Sequence, residues 1–351
     1  MNTSLRSKTN WASVIRIAGA YVAWCMGSGY ATGQEIFQFF TSYGYQSFLV
    51  LAVNLVGFLI VGPSLLMEAR ADDHFRFYCG NTLGAIYEWI LPASLFAGMI
   101  ILISGAGATL HEYYGLNHYV GALIMTILAF IAYAIGFQRF VKVVSFIGPT
   151  IIVFSLLIGI ITVCKDSDNL ALVSDSADKL ATKQTAPWWW LSGILYLSYN
   201  LCGGSKYYSA LGATITRRRE AFLGATIGSV ALMLAILLMN TSMLANASDV
   251  VGLDVPTLYL ARRISYVLGA VFSIILLMGI FSACSAMLWT VTERFVPQGS
   301  AKSLVVAAIA CILSFLLGLL PFSSLISVAY TLIGYAGLVF IGCVVWKRLK
   351  H

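Results

Sequence analysis

Two long apolar stretches of this chain are interrupted by glycine-rich breaks. The first break reads Gly27-Ser28-Gly29-Tyr30-Ala31-Thr32-Gly33-Gln34-Glu35, and the second reads Asn200-Leu201-Cys202-Gly203-Gly204-Ser205-Lys206. The second follows the first by half the length of the 351-residue chain. In lipid an unpaired peptide group costs on the order of several kcal/mol, so a break at mid-membrane survives only where protein encloses it or a watery cavity faces it. Paired interruptions at matching places in two halves mark a solute site.

The composition supplies the membrane. Hydrophobic residues make up 60% of the chain and charged residues 10%, with a mean hydropathy of +0.87. A soluble domain carries about 25% charged residues. The chain therefore reads as an all-α polytopic membrane protein. Its net charge of +7 is spread over short loops rather than one patch, which excludes nucleic acid as a partner and leaves the lipid bilayer and a small-molecule substrate. The seven cysteines are odd in number and form no CxxC, so neither a disulfide framework nor a zinc site is indicated. The four histidines show no metal spacing. The first apolar stretch reads as a retained span rather than a cleaved leader.

About 20 apolar residues cross a bilayer as a helix. On that rule ten spans are expected, at roughly 12–40, 45–68, 84–112, 117–137, 140–163, 188–213, 219–245, 264–293, 303–320 and 324–347. The long polar interval 164–187 divides them five and five. An odd-numbered unit must enter the membrane from the opposite side when it repeats. The chain is thus expected to be one transporter domain over 1–351, built as a 5+5 inverted repeat (about 12–163 and 188–347) around an outer loop, with broken helices 1 and 6. Lysine and arginine crowd the loop ends that share a side with the N-terminus, which places both termini in the cytoplasm and the chain in the cell membrane. Segment 249–263 is too polar to span and reads either as a short helix capping a cavity or as a plain surface loop.

A broken helix offers carbonyl oxygens at one stump and N–H groups at the other, a cation site beside an anion site. In the first span the carbonyls are expected from about Ala23 to Met26 and the donors from about Thr32 to Glu35. In the sixth, the carbonyls come from about Tyr196 to Asn200 and the donors from Ser205 to Tyr207. A zwitterion or small organic anion suits this pattern, and the residues expected to touch it are Gly27, Ser28, Gly29, Gly33, Glu35, Tyr196, Tyr199, Asn200, Gly203, Gly204 and Lys206. The alternative reading is that the glycines only permit close helix packing. Charges inside a membrane need a reason. Glu35 and Lys206 either pair with each other, or Lys206 takes a substrate carboxylate while Glu35 carries a proton. The run Ser104-Gly105-Ala106-Gly107-Ala108-Thr109 admits a close neighbour, and Tyr330 and Tyr335 are weaker candidates.

The stretch from Ala18 to Asp73, with Gly27-Ser28-Gly29 after an apolar helix and Gly62-Pro63-Ser64-Leu65-Leu66-Met67-Glu68 closing the second span, resembles the amino acid–polyamine–organocation superfamily. Within it, the chain is similar to the neurotransmitter–sodium symporters of LeuT type. It departs from their Phe/Trp-Arg-Phe-Pro ending, where Glu35 and Gln38 stand instead. The resemblance implies a LeuT-like fold and a sodium site between the first and eighth spans. The implied ligands are carbonyls of Ala23 and Met26 with the hydroxyls of Ser282 and Ser285, and Cys284 takes a place where relatives carry a hydroxyl. It further implies that the third span, here at Gly107, lines the site. Glu68 matches a buried carboxylate of the second span, or else lies at the interface. Lys142 matches the fifth-span lysine of proton-coupled relatives, or else snorkels to the surface.

The function expected from these features is ion-coupled uptake of a small, amino-acid-like solute by alternating access, with sodium or a proton as the coupling ion and no other cofactor. Spans 1, 2, 6 and 7 are expected to rock against spans 3, 4, 5 and 8. A ligand sensor on the same fold is the alternative. No HExxH or GxSxG motif supports an enzyme.

Overall fold

The computed structural model describes residues 9–68, 74–136, 147–297 and 300–350. It is all-helical. The elements are α1 (Trp11–Cys25), α2 (Ser28–Thr32), α3 (Gln34–Phe39), a 3-10 segment Thr41–Gln46, α4 (Ser47–Met67), α5 (His74–Tyr114), α6 (His118–Ile135) and α7 (Ile147–Asp166). After a 3-10 segment Ser167–Ser176 come α8 (Ala177–Ala181), α9 (Trp189–Gly203), α10 (Ser205–Ala213), α11 (Arg218–Leu244), α12 (Ala247–Val250), α13 (Pro256–Ile264), α14 (Tyr266–Phe295), α15 (Ala301–Leu317) and α16 (Phe322–Lys350).

Seven of the described helices are long and apolar enough to cross a membrane, and two shorter apolar runs, Trp11–Cys25 and Lys302–Leu317, stand beside them. The expected first and sixth spans fall short of a full crossing because glycines divide them, into α1, α2 and α3 and into α9 and α10. The start of the expected fifth span lies outside the described residues. Its described helix starts at Ile147, and Lys142 lies outside the described residues.

Helix starts follow local chemistry. The Asn10 carboxamide accepts from the N–H groups of Ala12 and Ser13 at 3.1 and 3.4 Å, and Asn117 does the same for Tyr119 at 2.8 Å. Such caps satisfy donors that the first turn leaves free. Between helices, close approach does the work that hydrophobicity cannot do in lipid. α16 lies on α9 through Gly334 and Gly337; a Cβ on Gly337 would fall 2.4 Å from the Ser198 carbonyl oxygen.

Two packed groups result. α1, α4, α9, α10 and α11 pack on one another, and α5, α6, α14 and α15 form a second group. α16 bridges them by touching both α9 and α5. The polar interval 164–187 is folded over the far end of the first group. Tyr43 donates to the Ala186 carbonyl at 2.7 Å, and Gln184 donates to the Ser42 carbonyl at 3.1 Å.

Candidate functional site

The first apolar run is interrupted twice. α1 ends at Cys25, and Gly27 is extended (φ −84°, ψ −164°). One turn later Gly33 stands at φ +82°, a left-handed conformation that side chains other than glycine seldom adopt. The space forbids a side chain as well: a Cβ on Gly33 would lie 2.3 Å from the Met243 methyl and 2.4 Å from the Thr257 hydroxyl of α13.

These two kinks correct the expected donor set. The Gly33 N–H bonds the Tyr30 carbonyl at 3.0 Å, and the Gln34 N–H bonds the Thr32 hydroxyl at 3.4 Å. Donors around Thr32 to Glu35 are therefore partly spent, and Gly33 faces α13 instead of a solute.

The second interruption is shallower than the first. Gly204, between α9 and α10, has near-helical angles (φ −82°, ψ −4°). The carbonyls expected to be free are also used. Asn200 O accepts from Gly204 N–H at 2.9 Å and from the Trp24 indole at 3.2 Å, and Tyr196 O accepts the Asn200 carboxamide at 3.1 Å. A tight glycine turn lets the ladder continue almost unbroken, so this break supplies room rather than bare peptide groups.

A cavity of about 550 Å³ lies between the two interruptions. From the expected set it gathers Ala23, Gly27, Ser28, Gly29, Glu35, Tyr199, Asn200, Gly203 and Lys206. α5 adds Leu91, Ser94, Leu95, Gly98 and Leu102, and α14 adds Ala283, Ala286, Met287 and Thr290. Trp24, Tyr30, Tyr207 and Tyr330 complete its aromatic part. Of these, the tryptophan escaped sequence reasoning because a Trp in an apolar helix looks like any core residue.

The cavity is reached from the face that carries the N-terminus. Ala23, Gly27 and Thr290 are exposed, whereas every residue from Ser28 to Tyr43 is buried. Aromatic rings form the seal on the other side. Phe40 meets Tyr196 edge-on at 4.7 Å, Tyr196 meets Tyr199 at 5.4 Å, and Tyr199 stacks on Tyr330 at 4.7 Å and 16°. Above the rings, Gln38 donates to the Ser323 carbonyl at 2.7 Å and Ser323 N–H donates to Asp254 at 3.2 Å. The Asp254 N–H in turn donates to Glu112 at 2.6 Å. α13 covers Gly33, so segment 249–263 is folded over the break. Its Arg263 reaches Asp166 at 3.5 Å, Asp249 at 3.4 Å and the Asn246 carboxamide oxygen.

Glu35 sits in the first turn of α3, is 4% exposed and accepts a hydrogen bond from the Tyr199 hydroxyl. It does not pair with Lys206. Among the described residues no ion pair reaches Glu35, and the Lys206 ammonium lies over the Phe75 ring at 5.7 Å. The two charges flank different breaks, and after Gly204 the helix carries Lys206 away toward the N-terminal face.

The remaining expected residues stand elsewhere. Gly107 packs against α6, where a Cβ would fall 2.5 Å from the His118 carbonyl. Tyr196 is fully buried in the seal, and Gly204 is pressed against the Trp24 indole. Glu68 is half-exposed, 3.8 Å from Arg218 at the N-terminal face, which favours its interfacial reading. Met26, at the end of α1, and Ser282 and Ser285, on α14, do not line the cavity; the Ser285 hydroxyl donates to the Phe281 carbonyl at 2.7 Å. α14 touches α2 directly, so both serines lie on the helix that flanks the first break.

No protein-family model matches the chain. It is 25% identical over 350 residues to the uncharacterized membrane protein YkvI of Bacillus subtilis, covering 96% of each chain, and 21% identical over 325 residues to the uncharacterized protein YyaD of the same organism, covering 91% of this chain and 92% of that one. The structure superposes on MhsT in complex with L-phenylalanine with a TM-score of 0.61 and 16% identity, over 95% of this chain and 89% of that one. A mutant of the Eremococcus coleocola manganese transporter superposes with a TM-score of 0.50 and 15% identity, over 98% and 80%. The chain shares the fold of these two structures. It is a multi-pass helical membrane protein with a LeuT-like arrangement.

Proposed function

We propose that this protein is a secondary active transporter for a small, amino-acid-like solute. The observation that carries this reading is the cavity between the two interrupted helices, open at one face and sealed by aromatic rings and α13 at the other. A one-sided opening onto a mid-membrane site is one of the two states that alternating access requires. The likeness to a protein solved with L-phenylalanine supports the solute class.

In this reading the two divided runs and the short helix α15 count as full spans. The chain then has ten, in two inverted units of five, with both termini in the cytoplasm. The group of α1, α4, α9, α10 and α11 moves against the group of α5, α6, α7 and α14; α1, α9 and α10 line the cavity from the first group, and α5 and α14 from the second. The driving ion is sodium or a proton. Sodium favours oxygen ligands, and the oxygens that the resemblance assigns to it are the carbonyls of Ala23 and Met26 at the end of α1 with the hydroxyls of Ser282 and Ser285 on α14. Glu35 is the proton-carrying alternative.

The test is reconstitution. Proteoliposomes holding the purified protein are given an inward sodium gradient or an inward pH gradient, and uptake of labelled amino acids is measured. Gradient-driven accumulation is the expected result. Binding without exchange would identify a sensor on a transporter fold and overturn the reading.

A further inference from the structure

We propose that the cavity selects its solute by a cationic ammonium group, held at Glu35 and against the tyrosine rings, and that a carboxylate on the solute is dispensable. This rests on reading the cavity as the solute site.

Four observations converge. First, Glu35 is buried and borders the cavity, and among the described residues no cation pairs with it. A carboxylate taken out of water is costly unless a counter-charge meets it. Its polar neighbours are neutral: the Tyr199 hydroxyl donates to one of its oxygens, and the Tyr196 hydroxyl lies close by. Second, the other oxygen is kept within reach of the solute path. A Cβ on Gly29 would fall 2.8 Å from Glu35 Oε2 and 3.3 Å from the Tyr330 hydroxyl. A glycine here leaves that oxygen uncovered.

Third, the neighbouring wall is aromatic. Tyr199 and Tyr330 are stacked, and Tyr30 and Trp24 also line the cavity. The faces of such rings attract a desolvated ammonium ion. Fourth, the first stump presents the C-terminal end of α1, whose carbonyls carry partial negative charge. Among the described residues no backbone N–H beyond the break bonds the carbonyls of Ala23, Trp24 or Cys25. Carboxylate, ring faces and carbonyls all favour the same sign.

The opposite sign is poorly served. Among the described residues no arginine lines the cavity, and the one cation that does, Lys206, lies over Phe75 toward the mouth. The body of the solute would meet Leu91, Leu95, Leu102, Met287 and Ile333. The structure thus points to a small organic ammonium ion with an apolar body.

The experiment uses the full chain in nanodiscs and three probes that share a ring: phenethylamine, L-phenylalanine and phenylacetate. Binding is followed by calorimetry, and cavity occupancy by protection of Thr290→Cys from a maleimide. Phenethylamine and phenylalanine are expected to bind and protect, and phenylacetate is not. Glu35→Gln, nearly isosteric, should weaken amine binding roughly 10- to 100-fold, the loss expected when a charged partner is removed. Tyr330→Leu should weaken it as well, which keeps the test alive if one variant folds poorly. Phenylacetate binding as tightly as phenethylamine, failure of phenethylamine to bind, or full amine affinity in Glu35→Gln would overturn the proposal. Amine binding in the absence of counterflow would leave it standing and reject transport instead.

Discussion

The Trp24 indole donates to the Asn200 carbonyl at 3.2 Å and so ties the first interrupted helix to the second. The same ring stacks on Tyr207 at 5.6 Å and lies against Gly204. Adjacent glycines should therefore differ. A Cβ on Gly204 would sit 2.6 Å from the indole nitrogen, whereas one on Gly203 would meet its nearest neighbour at 3.6 Å. Gly204→Ala should destabilise the protein by about 1–3 kcal/mol, the usual cost of overpacking. Gly203→Ala should stay within about 0.5 kcal/mol. Thermal unfolding in detergent compares the two.

Gly29 makes the corresponding case at the first break. Its missing side chain is what allows the Glu35 carboxylate and the Tyr330 hydroxyl to approach. Gly29→Ala should fold and insert normally yet lose solute uptake, because the methyl group displaces the carboxylate. Normal membrane yield with uptake below one-tenth of wild type, roughly the loss of one charged hydrogen bond, is the expected outcome of a transport assay.

The residues of the two glycine breaks that line the cavity are legible in the sequence, whereas the walls from α5 and α14 are not, for physical reasons. Gly27 stood out because paired glycines with polar neighbours are expensive in lipid. Spacing along the chain says nothing about azimuth, so the sequence leaves a Glu35–Lys206 pair and separate roles both open; α10 carries the lysine away from Glu35. The small residues around Gly107 resemble a cavity lining, but they serve α6, since close packing and solute access call for the same residue types. The second break is shallower than its glycines suggest: two glycines permit an unwound stretch without requiring one, and here a single turn absorbs them.

Arg263 of α13 holds the cover over the sealed face through Asp166 and Asp249. Its side chain is 40% exposed, so the pairs themselves stabilise by about 0–1 kcal/mol. Arg263→Gln should leave the melting temperature nearly unchanged and still loosen α13. The readout is Thr257→Cys, a buried position against Gly33. A maleimide should modify it faster in the Arg263→Gln background than in wild type. Equal rates would show that α13 is held by its apolar contacts alone.

Counterflow in proteoliposomes tests the central claim most directly. Vesicles are loaded with unlabelled solute, and entry of labelled solute is compared for wild type and Gly203→Leu. The account predicts transient accumulation in wild type and none in Gly203→Leu, with equal amounts of both proteins in the membrane. Equal accumulation by Gly203→Leu would contradict it.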